Sequence, residues 1–371
     1  MMRSASSVQA LRRLRSRPSR RLLAGIVVSC TALLAVGRAG AEPAPARTAM
    51  APPAMTRPAA LEHLATVQCA SFAQLESSYG KQFATRMRDW SLAQMPDLQG
   101  RPVLYLFSGP DIVTTMALFP SAGHLTLVAD QKPEYDLLTQ ADADSPEQTE
   151  RECRMLSFFS RLGYYRTDDL NGKVGTRPRF IKLLAYSIAF GGGTVTSADL
   201  LAVAANGELQ VFAPGAAGKP QGVRFGVRRR DGSVLTVDYL MIDLSNHGLK
   251  GDAGALAFLQ HAASDVLFLK SASHLLQSPH FSVLADLLVT PPAPFVVQDE
   301  TGLGIDRLNK AYQLTLYGKF TNPQALWAHN TAAHAFADEY ATHEVKAMLP
   351  FTIGYEKKAG SALLIGRRTT R

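Results

Sequence analysis

Four short polar segments of this chain carry the residue types from which a binding or catalytic site could be made. Ser108-Gly109-Pro110-Asp111 is a tight turn whose backbone could hold an anionic or ribose-like group at the start of a helix. Asp130 follows Gly109 by 21 residues, the spacing at which a ribose-binding acid follows the glycine turn of nucleotide-binding sheets. Lys270-Ser271-Ala272-Ser273-His274 could supply an activated nucleophile, because a lysine beside serines can serve as the base. Asp299-Glu300-Thr301-Gly302 could supply a general base.

Each segment also has a structural account. Ser108 as N-cap with Asp111 at the third helical position would form a capping box. One glycine stands where G-x-G-x-x-G would let a backbone approach a pyrophosphate, and Pro110 removes a donor. Ser271 could cap a following helix while Lys270 extends to solvent. Asp299 to Gly302 reads equally as a polar turn closed by glycine. Asp243-Leu244-Ser245-Asn246-His247 is not a triad, since an alternating strand would point these side chains apart. His334 with Asp338, and Glu339 with His343, share faces of a helix expected over 333–349. They read as a solvated face, and H-E-x-x-H is absent. No Cys/His spacing supports zinc, so no metal ligand set is expected. The catalytic group and the cofactor, if any, are not legible in the residues.

The elements that must position these segments are readable from hydrophobic pattern. Val103 to Phe107 and Leu125 to Ala129 are short apolar runs of the kind buried on both faces of a parallel sheet, separated by a short helix through Ile112, Val113, Met116 and Phe119. Asp265 to Leu269 and Phe295 to Val297 repeat the pattern around a helical stretch through Leu275, Leu276, Phe281, Leu284 and Leu288. In open α/β sheets ligands bind outside the carboxyl ends of the strands. Ser108, Gly109, Asp111, Asp130, Lys270, Ser271, His274, Asp299 and Glu300 would therefore share one rim, provided the four strands are parallel neighbours. Between the halves lie hairpins around Asn206-Gly207 and Asp231-Gly232. Gly191-Gly192-Gly193 ends a helix over 180–190. The tail offers a strand at Tyr312 to Leu316 and strands near Phe351 and Leu363. The fold class expected is α/β, a Rossmann-like sheet over 99–371 with helices on both faces and an antiparallel portion, preceded by N-terminal helices over 61–98.

Composition fits a chain with a sizeable core: 371 residues, 46% hydrophobic and 19% charged. The net charge of +8 comes from the first 41 residues, which hold eight arginines and no acid; the remaining 330 carry 31 basic and 31 acidic residues. A neutral body gives no electrostatic argument for nucleic acid or an anionic membrane as partner. Arg12 to Arg21, the apolar Leu22 to Val36 and Ala39-Gly40-Ala41 have the order of an export signal cleaved after Ala41. Ser19-Arg20-Arg21-Leu22-Leu23 resembles a twin-arginine signal, with lipidation at Cys30 as the alternative. A periplasmic or secreted location follows, with no stable membrane span after signal removal. Residues 42–60 are an Ala/Pro-rich tether. Export would leave Cys69 and Cys153, either as one disulfide or as two thiols. Ser145-Pro146-Glu147-Gln148 starts a helix expected to run to about Gly163 with Met155, Phe158, Phe159 and Leu162 as its apolar face; Cys153 lies nearly opposite that face and is not obviously a core residue.

Four segments taken together, Leu104 to Asp111, Phe268 to Leu276, Gln298 to Gly302 and Leu316 to Phe320, resemble a family of exported bacterial proteins of unknown function. The resemblance spans about residues 85–355 and implies no activity. Strand order, Gly109 and Asp130 give a broader likeness in fold to class I S-adenosylmethionine-dependent methyltransferases. The expected function is the binding of a small polar ligand at the strand-end rim. The alternatives are a methyltransferase-like enzyme, a hydrolase using Lys270 or Asp299, or a non-catalytic scaffold.

Overall fold

The structure, a computed structural model, describes residues 83–109, 111–131, 147, 149–154, 156, 180–213, 216, 218–263, 266–290, 293–323, 327–355 and 361–369. The segments expected to be an export signal (1–41) and a tether (42–60), residues 61–82 with Cys69, and Pro110 lie outside them.

Short apolar runs form the centre of the molecule. β1 (Val103–Leu106) and β7 (Val266–Leu269) are buried at every position. β1 lies between β7 and β2 (His124–Asp130), parallel to both. β7 pairs in parallel with β8 (Phe295–Gln298) on its other side. The four strands expected to be neighbours thus run side by side in one sense. Leu106 is level with Leu269, and Leu269 with Gln298, so the loops that follow leave the sheet at one height.

The full sheet has eleven strands among the described residues, in the order β10-β9-β11-β8-β7-β1-β2-β6-β5-β3-β4. On one side, β3 (Gly193–Val203) and β4 (Leu209–Val211) form the hairpin around Asn206-Gly207. β5 (Gly222–Arg229) and β6 (Val234–Ile242) form the hairpin around Asp231-Gly232. β6 is also the next parallel strand beside β2, with Asp130 level with Ile242. The expected antiparallel portion is therefore present and continuous with the parallel sheet through β6. On the other side, β11 (Ala362–Arg368) runs antiparallel to both β8 and β9 (Tyr312–Gly318), and β10 (Val345–Ala347) closes the edge. Gly318 has φ 83°, and a Cβ there would collide with the Ser361 carbonyl oxygen where β11 begins.

Because side chains alternate along a strand, the sheet has two apolar faces. Tyr105, Leu125, Leu127 and Phe268 face α1 (Thr85–Gln94), α2 (Ile112–Leu118) and α3 (Phe180–Phe190). Leu104, Leu106, Leu240, Leu267 and Leu269 face α5 (Ala253–Ala262), which follows α4 (Asn246–Gly251), together with α6 (Ser282–Val289) and α8 (Thr331–Thr342). A short α7 (Ile305–Leu308) lies between β8 and β9. Trp90 of α1 meets Tyr317 and Phe351 edge-on at 5.0 and 5.3 Å. This is the α/β architecture expected, with helices on both faces of a mixed sheet.

Three expectations need correction. The tail helix ends at Thr342, not Leu349: His343 is extended (φ −115°, ψ 155°), and Val345 joins β9 level with Leu316. The apolar period of Phe336, Ala337 and Tyr340 meets charged Glu344, so continued helix would gain no burial. Phe351 is not in a strand but is a core residue against Trp90. Cys153, not obviously a core residue from its helical position, is completely buried in the same core cluster as Leu156.

Candidate functional site

The loop after β1 turns sharply: Phe107 takes a left-handed backbone (φ 57°), and the Ser108 N–H donates to the Val128 carbonyl at 3.0 Å. Ser108 is 4% exposed, and its hydroxyl has no hydrogen-bond partner. Asp111, not Ser108, is the residue preceding α2, and its side chain caps no backbone N–H. The expected capping box does not form. The Asp111 carboxylate turns instead to Lys270, with Thr114 Oγ1 donating to its other oxygen at 3.3 Å.

Lys270 follows β7 directly. It does not reach solvent; it is fully buried and its ammonium pairs with Asp111. The Tyr105 hydroxyl donates to the Lys270 carbonyl at 3.4 Å. Burial lifts the Tyr105 phenol well above 10.0, reinforced by the nearby charges of Asp111 and Asp299. Burial also raises the Asp111 carboxyl above 3.8, against the pull of Lys270.

Ser271, Ser273 and His274 all have left-handed backbones, with φ of 54°, 51° and 58°. With Phe107 they are the four non-glycine residues of this kind among the described residues. All four lie where β1 and β7 leave the sheet, and each such residue costs on the order of 1–3 kcal/mol. The turn is held by Asp299 from β8. Asp299 accepts the Ser271 N–H at 2.7 Å, the Thr301 N–H at 2.9 Å and the Thr301 hydroxyl at 2.6 Å. Thr301 Oγ1 in turn accepts the Ala272 N–H at 2.7 Å. Burial raises the Asp299 carboxyl despite these bonds and Lys270. Gly354 backs this group, since a Cβ there would sit 2.6 Å from Asp299 Oδ2. From the same loop Tyr355 donates to the Ser271 carbonyl at 2.8 Å, which leaves Ser273 Oγ as donor to the Tyr355 oxygen at 2.8 Å. The Ser271 hydroxyl has no partner.

The structure therefore brings together Asp111, Lys270, Ser271 and Asp299, with Ser108 and Gly109 in the adjoining turn. Two carboxyls face one ammonium in a region closed to water. Asp130 is exposed at the end of β2, the parallel neighbour of β1, and its Oδ1 accepts the Leu244 N–H at 2.9 Å rather than bonding to this cluster. Ser245 caps α4 by accepting the Gly248 N–H at 3.1 Å, so the Asp243 to His247 segment is a turn and cap. Tyr105 and Tyr355 were not anticipated. Tyr105 sits in an apolar run that reads as core, and Tyr355 joins from 84 residues beyond Ser271.

Among the described residues no three or more His, Cys, Asp or Glu are grouped to hold a metal ion. Among them, too, no helix is long and apolar enough to cross a membrane. A surface cavity of about 440 Å³ lined by Asp286, Val289, Thr290, Asp306, Arg307, Lys310 and Ala311 is separate from the cluster. Thr290 and Ala311 precede the amino ends of β8 and β9, at the opposite edge of the sheet. No protein-family model and no curated protein matches this chain.

Proposed function

We propose that the carboxyl ends of β1, β7 and β8 form a binding rim for a small polar molecule in an exported protein. The observation that carries the reading is that two hydroxyls are buried without partners in the loops that supply the Asp111–Lys270 pair, Ser108 Oγ in the turn leading to Asp111 and Ser271 Oγ in the residue after Lys270. A buried hydroxyl left unsatisfied costs about 1–3 kcal/mol, and a ligand offering donors or acceptors would satisfy both. The topology supports the place. Counted in chain order, the five parallel strands run β6-β2-β1-β7-β8, that is 3-2-1-4-5. The order reverses between β1 and β7, the switch point at which doubly wound sheets bind ligands. Three of the four segments that resemble the exported family form this cluster, and the fourth ends β9 at the same edge.

The experiment is a melting-temperature screen of the full chain against S-adenosylmethionine, NAD, amino acids and monosaccharides. A stabilising probe is expected for the wild type. The double variant Ser108→Ala/Ser271→Ala should melt no lower than wild type and lose that stabilisation. Equal stabilisation of both proteins would overturn the reading.

The Rossmann-like identity of the sheet, and with it a methyltransferase-like enzyme, is the second reading. It is favoured by antiparallel β11 between β8 and β9 and by Asp130 at the end of β2. Asp130→Ala should then abolish stabilisation by S-adenosylmethionine specifically. A non-catalytic scaffold is favoured by Phe107, a bulky residue in a conformation suited to glycine at the first turn of the loop.

A further inference from the structure

We infer that His274 is the hydrogen-bond acceptor which the rim presents to its ligand through Nε2, and that the ligand bears a hydroxyl or amine at that point. The inference rests on the binding reading above and deepens it.

Gln277 determines where the imidazole proton lies. Its Nε2 amide donates to the Gly302 carbonyl at 2.9 Å, which turns the amide oxygen toward His274. That oxygen lies 2.9 Å from Nδ1. An amide oxygen only accepts, so Nδ1 must carry the proton. Burial disfavours the charged ring, against smaller opposing effects of the Gln277 bond and the Asp299 carboxylate, so the imidazole is neutral near pH 7. The lone pair is then on Nε2. Among the described residues Nε2 makes no hydrogen bond, yet it is not one of the unpartnered atoms sealed from solvent. Trp327 packs on the ring at 5.1 Å between centroids, and Tyr355 packs on Trp327 at 4.8 Å. Tyr355 also bonds the Ser271 carbonyl, so the aromatic stack and the strained turn are one unit. A neutral histidine of fixed tautomer, 5% exposed and in the same loop as Lys270 and Ser271, is what recognition of an O–H or N–H donor requires.

The test reads the tautomer and then the ligand, on the full chain. Long-range proton–nitrogen correlation spectra near neutral pH, with His274→Gln to assign the signals, should show Nδ1 protonated and Nε2 bare. Gln277→Leu should remove that preference, and Gln277→Glu should draw a proton onto the ring and raise its pKa. A purely structural Gln277 would change stability and leave the tautomer as it was. Diethyl pyrocarbonate acylates an unprotonated imidazole nitrogen, and peptide mass analysis should find His274 modified. A probe that stabilises the wild-type chain should protect His274 from this modification. An Nε2-protonated ring, or a His274 that stays unmodified while exposed His343 reacts, overturns the inference. A stabilising probe that leaves His274 unprotected also overturns it, and the binding reading then survives. If no probe stabilises the chain, both fall.

Discussion

Lys270 shows how little residue type alone says about a strand-end lysine. A long cationic side chain at the edge of a sheet usually extends to water, but here the ammonium is enclosed with Asp111 and within the field of Asp299. Removing one partner of a buried pair leaves the other uncompensated, which costs about 3–5 kcal/mol. Asp111→Ala should therefore lower unfolding free energy in urea by about 3 kcal/mol or more. Asp111→Ala/Lys270→Met should lose less than that single change, because no ammonium is left behind. The same burial sets a pH dependence. Asp111 and Asp299 titrate above 3.8 when folded and near 3.8 when unfolded. The folded chain thus holds more protons over that interval, and stability declines as pH rises from about 3.8 through the raised folded values. Asp299→Asn should remove its share of that slope in denaturation measured across acidic pH.

At the scale of the element, the turn after β7 is the least relaxed part of the described backbone. Three left-handed residues in four are held by bonds from Asp299, Thr301 and Tyr355. Such strain persists only where surrounding contacts enforce it, and it gathers at binding sites. Ser271→Gly relieves one such residue and removes an unsatisfied hydroxyl. Glycine loses more freedom on folding, so the net gain is about 1 kcal/mol or less. The variant should melt higher than wild type while losing the ligand-induced shift; a fall in both would mean that the hydroxyl supports the fold. The turn was legible only as polar residues after an apolar run. Its conformation was not, because it is imposed by β8 and by residue 355, which are distant in the chain.

For the whole molecule, the decisive feature is that β6 and β7 fall on opposite sides of the β1–β2 pair. That reversal opens the gap across which the loops of β1 and β7 meet. Export adds an expectation at the same scale. Protein recovered from an exporting host should begin just after Ala41 by N-terminal sequencing, and Cys69 and Cys153 should resist alkylation until reduced. Free thiols in the native chain would remove the disulfide and leave the cleavage site untouched.

What the sequence determined by itself was local. Fully apolar runs marked β1 and β7, and Asn-Gly and Asp-Gly marked the two hairpins. These signals lie within a few residues of what they specify, so they can be read in isolation. Only the tertiary structure decided that Lys270 turns inward to Asp111, that Asp130 bonds to Leu244, and that β6 extends the parallel sheet. It decided, too, that the hydroxyls of Ser108 and Ser271 are left buried without a partner. Each of those outcomes depends on which groups arrive from elsewhere in the chain, and on how far burial removes water as the alternative partner.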